Sequence, residues 1–204
     1  MSFETFRRAA AHLDTAPEAA VPGVSPFAAL GLAPAILNSI TQAGYADPTD
    51  VQARSVPLAL EGHDLLVSAH TGSGKTAAFV WPALQRVLAA RQDAAQRRAK
   101  GVASGPRTLV LAPTRELALQ VTRACTVYGS SVPGLRVASV VGGVPYGAQL
   151  KALRGPLDLL VATPGRLMDL MRGGHAVLAQ VQLLVIDEAD RMLDMGFIDD
   201  IRTI

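Results

Sequence analysis

Five short apolar runs, rich in β-branched residues and separated by helix-favouring stretches, constrain the fold of this chain more than any other feature. They lie near residues 65–69, 108–112, 137–141, 158–162 and 183–187. Runs that are apolar at successive rather than only alternate positions suit strands buried on both faces. Their spacing predicts an α/β domain: a parallel β-sheet flanked by helices on both faces. Half of the 204 residues are hydrophobic and 18% are charged, which is enough for one sizeable core and excludes disorder over the whole chain. The Ala/Pro-rich residues 1–24 read as a flexible extension, and residues 25–204 as the domain. Leu30-Gly31-Leu32-Ala33-Pro34 opens a helix with Ile36, Leu37 and Ile40 on one face, while Arg91 to Pro106 breaks the apolar pattern and reads as a solvated loop.

The first apolar run leads into Ala69-His70-Thr71-Gly72-Ser73-Gly74-Lys75-Thr76, followed by a helix-favouring segment to Ala90. Strand, glycine-bearing loop and helix in that order form the context a phosphate-binding loop requires. Gly72 and Gly74 let successive N–H groups turn toward phosphate oxygens at a positive helix N-terminus. Lys75 then reaches the β- and γ-phosphates, and the Thr76 hydroxyl ligates Mg²⁺. Ala69 stands where the pattern G-x-x-x-x-G-K-[ST] begins with glycine. The last apolar run, Gln182 to Ile186, ends in Asp187-Glu188-Ala189-Asp190. Carboxylates at the C-terminal edge of a parallel strand sit where open α/β sheets bind ligands. Asp187 suits the Mg²⁺ shell, and Glu188 suits orienting and deprotonating an attacking water. A solvated acidic helix N-terminus, favoured by the helix dipole, is the plainer alternative.

With these residues the chain resembles the DEAD-box family of ATP-dependent RNA helicases. Asp187-Glu188-Ala189-Asp190 spells the family's name, and Arg191 to Phe197 continues in its manner. Phe27, Gly44-Tyr45 and Pro48-Thr49-Asp50-Val51-Gln52 resemble the adenine-recognising Q motif, although Asp50-Val51 stands where Pro-Ile is common. Pro113-Thr114-Arg115-Glu116-Leu117-Ala118, Gly142-Gly143 and Thr163-Pro164-Gly165-Arg166 resemble the three RNA-contacting motifs of the family's first helicase domain. The resemblance runs from about Phe27 to Ile204 and implies a RecA-like domain of the P-loop NTPase class. It also implies ATP and Mg²⁺ as cofactors, RNA as partner, and hydrolysis coupled to local unwinding. Nucleotide would be bound by Phe27, Tyr45, Gln52 and residues 69–76, with Lys75, Asp187 and Glu188 as the catalytic groups. RNA would be gripped by Pro113, Thr114, Arg115, Gly142, Gly143, Thr163, Pro164, Gly165 and Arg166. Finally, the pattern implies that a Ser-Ala-Thr motif follows on a strand lying between the phosphate-loop strand and the Asp187 strand. A second RecA-like domain with an arginine finger would come after it. Residues 25–204 are on this reading cut short before that motif, and poorly active alone.

The residue chemistry agrees. A glutamine amide carries both acceptor and donors, matching the N6 donor and N7 acceptor of adenine. Phe27 could stack on the base or pack with Leu30 and Leu32. Glycine N–H groups, hydroxyls and a guanidinium at strand ends can hold a sugar–phosphate backbone without reading sequence, though the same residues are common in ordinary αβ turns. A net charge of +2 with pI near 9.0 permits nucleic-acid binding without arguing for it. Arg97, Arg98 and Lys100 offer an accessory RNA contact or a solvated turn. The single Cys125 excludes an intrachain disulfide and fits a cytoplasmic setting, and no apolar run reaches membrane-spanning length. An RNA helicase is the expectation; a DNA-directed ATPase and a non-hydrolysing RNA clamp are the alternatives.

Overall fold

The computed structural model describes residues 26–93 and 105–204. The expected N-terminal extension lies outside the described residues, as do Arg97, Arg98 and Lys100. Four parallel strands, β1 (Thr108–Leu111), β2 (Val137–Val140), β3 (Leu159–Ala162) and β4 (Leu183–Ile186), form one sheet in the order β2-β3-β1-β4. Central β1 pairs with both neighbours, Thr108 facing Leu159 on one side and Leu183 on the other. Alternate residues point to opposite faces, so one set (Val110, Ala112, Leu159, Val161) enters one core and the other (Leu109, Leu111, Leu160, Ala162) enters a second.

Helices close both faces. The first core receives a short 3-10 helix (Pro26–Leu30), α1 (Pro34–Gln42), α2 (Asp50–Glu61), α3 (Lys75–Gln92) and α4 (Arg115–Tyr128). Ile36, Ile40, Val56 and Trp81 are fully buried there, each aliphatic side chain contributing about 1.5–3 kcal/mol. The second core receives α5 (Tyr146–Leu153), α6 (Pro164–Arg172), α7 (Ala189–Asp194) and α8 (Ile198–Thr203), through Leu150, Leu167, Leu170, Met192 and Ile201. Helix ends follow local chemistry: Thr49 and Gln52 form a reciprocal capping box on α2, and Gly62 ends that helix in the left-handed conformation. Cys125 is buried in the first core, where desolvation pushes its thiol up to about 12.

An aromatic chain links the N-terminal segment to the core. Phe27 meets Trp81 edge-on at 5.6 Å, Trp81 meets Tyr128 at 5.7 Å, and the Tyr128 and Tyr45 hydroxyls hydrogen-bond at 2.8 Å.

One expected strand does not form. Residues 65–69 are outside any strand, and Leu66 is 98% exposed. A strand exists only through its neighbour's hydrogen bonds, and among the described residues none runs beside this segment. β4 is likewise an edge of the sheet, with Leu184 and Ile186 exposed on one face. An open parallel edge beside exposed leucines is a template for association. The 204-residue polypeptide alone should therefore bind hydrophobic dye and self-associate, and Leu184→Lys should reduce both. Dye-free, monomeric behaviour by light scattering would contradict this reading of the edge.

Candidate nucleotide and nucleic-acid site

Because all four strands run parallel, the segments that follow them emerge along one edge of the sheet. Pro113–Arg115 follows β1, Gly142–Gly143 follows β2, Thr163–Arg166 follows β3, and Asp187–Glu188 follows β4. That carboxyl edge is where ligands bind in open α/β sheets.

The loop from Ala69 to Gly74 opens α3, with Gly72 at φ 83° and Gly74 at φ 91°, conformations that a side chain disfavours. Gly74 is constrained a second way, because a Cβ there would collide with Gln52 Nε2. That amide nitrogen donates to the Gly74 carbonyl at 3.2 Å, while Gln52 Oε1 accepts the Thr49 N–H at 3.0 Å. Gln52 is buried, so its amide ties the cap of α2 to the last residue of the loop. Within the loop, the Lys75 ammonium donates to the Ala69 carbonyl and to that of His70 at 2.9 Å. Ser73 Oγ is buried with no hydrogen-bond partner among the described residues, a group that an incoming acceptor could satisfy.

The carboxylates stand close to this loop. Asp187 is fixed by its N–H donating to the Leu111 carbonyl at 2.9 Å, which locks the end of β4 to β1. Burial raises the Asp187 carboxyl above the usual range and the neighbouring Glu188 carboxylate adds to it. The Glu188 N–H and the Lys75 ammonium pull it back. The structure thus brings the loop lysine within electrostatic reach of Asp187. Glu188 is the only non-glycine residue with positive φ among the described residues, at φ 51° and ψ 52°, and it caps α7 through its backbone. A side chain in this region costs about 1–3 kcal/mol and is found where surrounding structure and function hold it. Glu188 Oε2 accepts from Arg191 Nη1 at 3.2 Å.

The remaining loops interlock. Arg115 reaches past β3 to donate from Nη1 to the Gly142 carbonyl at 3.3 Å. Gly143, at φ 74°, would place a Cβ 2.8 Å from that guanidinium. Arg166 Nη1 donates to the Val144 carbonyl at 3.1 Å. Thr114 caps α4 by accepting the Leu117 N–H, whereas the Thr163 side chain makes no cap bond at the start of α6. Pro113 and Pro164 are buried, and Gly165 has open space around its Cα.

Two sequence expectations take a specific form here. Phe27 is 3% exposed and packs edge-on against Trp81. Tyr45 is 46% exposed and held by its hydroxyl to Tyr128. One residue escaped the sequence reading altogether. Gln149 is buried, accepts the Val141 N–H at 3.0 Å and donates to the carbonyls of Val141 and Val144 at 3.1 and 2.9 Å. A lone glutamine among the apolar residues of a short helix was its only signal.

Comparison with known proteins bears on this arrangement. The sequence pattern of the DEAD/DEAH box helicase family matches residues 49–204. The chain is similar to DEAD-box ATP-dependent RNA helicase 52A of Oryza sativa subsp. japonica, 46% identical over 90% of this chain and 31% of that protein. It is similar also to ATP-dependent RNA helicase DeaD of Escherichia coli, 44% identical over 87% of this chain and 26% of that protein. The chain therefore spans about a third or less of these relatives. Among solved structures, the RNA-helicase Prp28 from Chaetomium thermophilum bound to ADP superposes with a TM-score of 0.75 at 38% identity, covering 86% of this chain and 41% of that one. A hypothetical ATP-dependent RNA helicase from Sulfolobus tokodaii gives 0.71 at 40% identity, covering 83% and 45%. The sheet is that of a RecA-like helicase domain, and the chain belongs to the DEAD/DEAH box helicase family.

Proposed function

We propose that this chain is the ATP-binding and half of the RNA-binding apparatus of an ATP-dependent RNA helicase that couples ATP hydrolysis to local duplex opening. The observation that carries this reading is that Asp187–Glu188 follows β4 at the same sheet edge as the three interlocked backbone loops, with the Lys75 ammonium of the glycine-bearing loop acting on the Asp187 carboxyl. Residues 69–76 would cradle the phosphates of ATP, Lys75 neutralising the β- and γ-oxygens after release from the Ala69 and His70 carbonyls. Gln52 would offer its remaining donor and acceptor capacity to adenine, with Tyr45 at the rim.

The oxygen donors of Thr76 and Asp187 suit Mg²⁺, the latter through water. When bound, Mg²⁺ would neutralise phosphate charge; burial of Asp187 beside Glu188 leaves excess negative charge that a cation relieves. Glu188 would then orient and deprotonate the attacking water.

Pro113, Thr114, Arg115, Gly142, Gly143, Thr163, Pro164, Gly165 and Arg166 would grip RNA through its backbone, with little dependence on base sequence. The complete protein would add a strand carrying the Ser-Ala-Thr motif beside β4, then a second RecA-like domain whose arginine finger, worth about 10³–10⁵ in rate, completes the site. The exposed edge of β4 and the unpaired residues 65–69 support such a strand. The buried, unpaired Cys125 is compatible with a cytoplasmic setting.

The direct test is phosphate release by the full-length protein with ATP, with and without RNA. RNA-stimulated release is expected; release stimulated equally by DNA, or none at all, would defeat the proposal. In full-length Glu188→Gln protein, turnover should fall by about 10²–10⁴ while ATP affinity changes little, and dissociation from single-stranded RNA in ATP should slow. Turnover within a few-fold of the parent would remove Glu188 as base. Gln52→Ala should weaken ATP use by about 1–3 kcal/mol and narrow the preference for ATP over GTP. If both nucleotides suffer equally, Gln52 acts only as the tie between α2 and Gly74.

A further inference from the structure

The loops after β2 and β3 do not hold one another by themselves; both lean on the first turn of α5. The Val144 carbonyl accepts two side-chain donors, Gln149 Nε2 at 2.9 Å and Arg166 Nη1 at 3.1 Å. Gln149 and Tyr146 are three residues apart on α5 and so share one helix face. Tyr146 places its ring under Arg166, whose Cζ lies 6.0 Å from the ring centroid. From another side His175, just past α6, meets the same ring edge-on at 5.9 Å, and Gly173 is packed so tightly that a Cβ there would come 2.9 Å from His175 and 3.2 Å from the Tyr146 hydroxyl. Tyr146 is therefore fixed on two sides although 40% exposed.

A guanidinium on a long side chain has much rotamer freedom to lose, and one carbonyl bond from Nη1 leaves rotation about that bond open. An aromatic face beneath it removes that freedom by cation–π attraction and planar contact. With Nη1 held by Val144 and Cζ held over the Tyr146 ring, the guanidinium keeps further N–H donors with which to meet an anion.

We infer that Tyr146 is a positioning residue for RNA binding: its ring, seated by His175 and Gly173, presets the Arg166 guanidinium for a backbone phosphate. This rests on the reading of Arg166 as an RNA contact, and the test separates the two ideas. RNA half-saturation of the full-length protein is measured by ATPase stimulation and by binding, at several salt concentrations, for Tyr146→Ala, Tyr146→Phe, Arg166→Ala and the double variant Tyr146→Ala/Arg166→Ala. Arg166→Ala should weaken RNA binding and reduce the salt slope by about 0.7, the signature of one lost phosphate contact on a single strand. Tyr146→Ala should raise RNA half-saturation roughly two- to five-fold, as expected for an exposed cation–π contact, without altering the ATP requirement or the melting temperature by more than a degree or so. Tyr146→Phe should behave as the parent. Adding Tyr146→Ala to Arg166→Ala should cost nothing further.

If Arg166→Ala leaves affinity and salt slope untouched, the RNA reading of Arg166 fails and the positioning role falls with it. If Arg166→Ala behaves as expected but Tyr146→Ala is silent, or its effect adds in full to that of Arg166→Ala, the positioning role alone is overturned. Full additivity would mean that Tyr146 meets RNA on its own account.

Discussion

In-register parallel pairing of β1 with both β3 and β4 is the constraint on which everything else in this domain depends. Parallel strands send all their chain exits to one edge, so four chemically different loops meet there with no dedicated scaffold of their own. β1 has a second role. Its last residue, Leu111, accepts the Asp187 N–H, and the next, Ala112, donates its N–H to the Ala162 carbonyl at 2.9 Å. One strand end therefore sets the height of the carboxylate loop on one side and of the Thr163 loop on the other. A shift of β1 by one residue would exchange its two faces between the cores and move both loops together.

The edge is divided into two stations of different character. Around Lys75, Gln52 and Asp187 the contacts gather on an ammonium, an amide and a carboxylate. Around Gly142, Val144 and Arg166 the contacts run between guanidinium side chains and backbone carbonyls. On the proposed reading, the first station would hold the nucleotide and the second the RNA backbone.

Much of this was legible in the residues, and what was not has identifiable causes. β1, β2, β3 and β4 were marked by continuous apolar runs because each is buried on at least one face by local neighbours. The run at 65–69 carries the same composition but forms no strand, since composition cannot supply the neighbouring chain that a ladder needs. Thr49 and Gln52 spell a capping box, a pattern visible in sequence, but that the same glutamine also reaches Gly74 depends on how α2 lies against α3. For Phe27, sequence leaves core packing and base stacking open, and which ring it meets, Trp81, depends on how α3 lies against the N-terminal segment. Nothing about glutamate as a residue type announces the left-handed backbone of Glu188; that conformation is imposed by the sharp exit from β4 into α7. Gln149 went unread because a buried amide is identified by its partners, all of which lie outside its own helix.

The aromatic chain in the first core has a practical corollary. Trp81 is the sole tryptophan, fully buried, and its indole nitrogen has no hydrogen-bond partner among the described residues. It lies on α3, six positions beyond Lys75, between the rings of Phe27 and Tyr128. The indole emission of the domain thus comes from a single dry chromophore on the very helix whose first turn carries Lys75, flanked by two rings carried on separate elements. A tilt of that helix moves the indole against both rings, so the protein carries its own optical gauge of how α3 is seated.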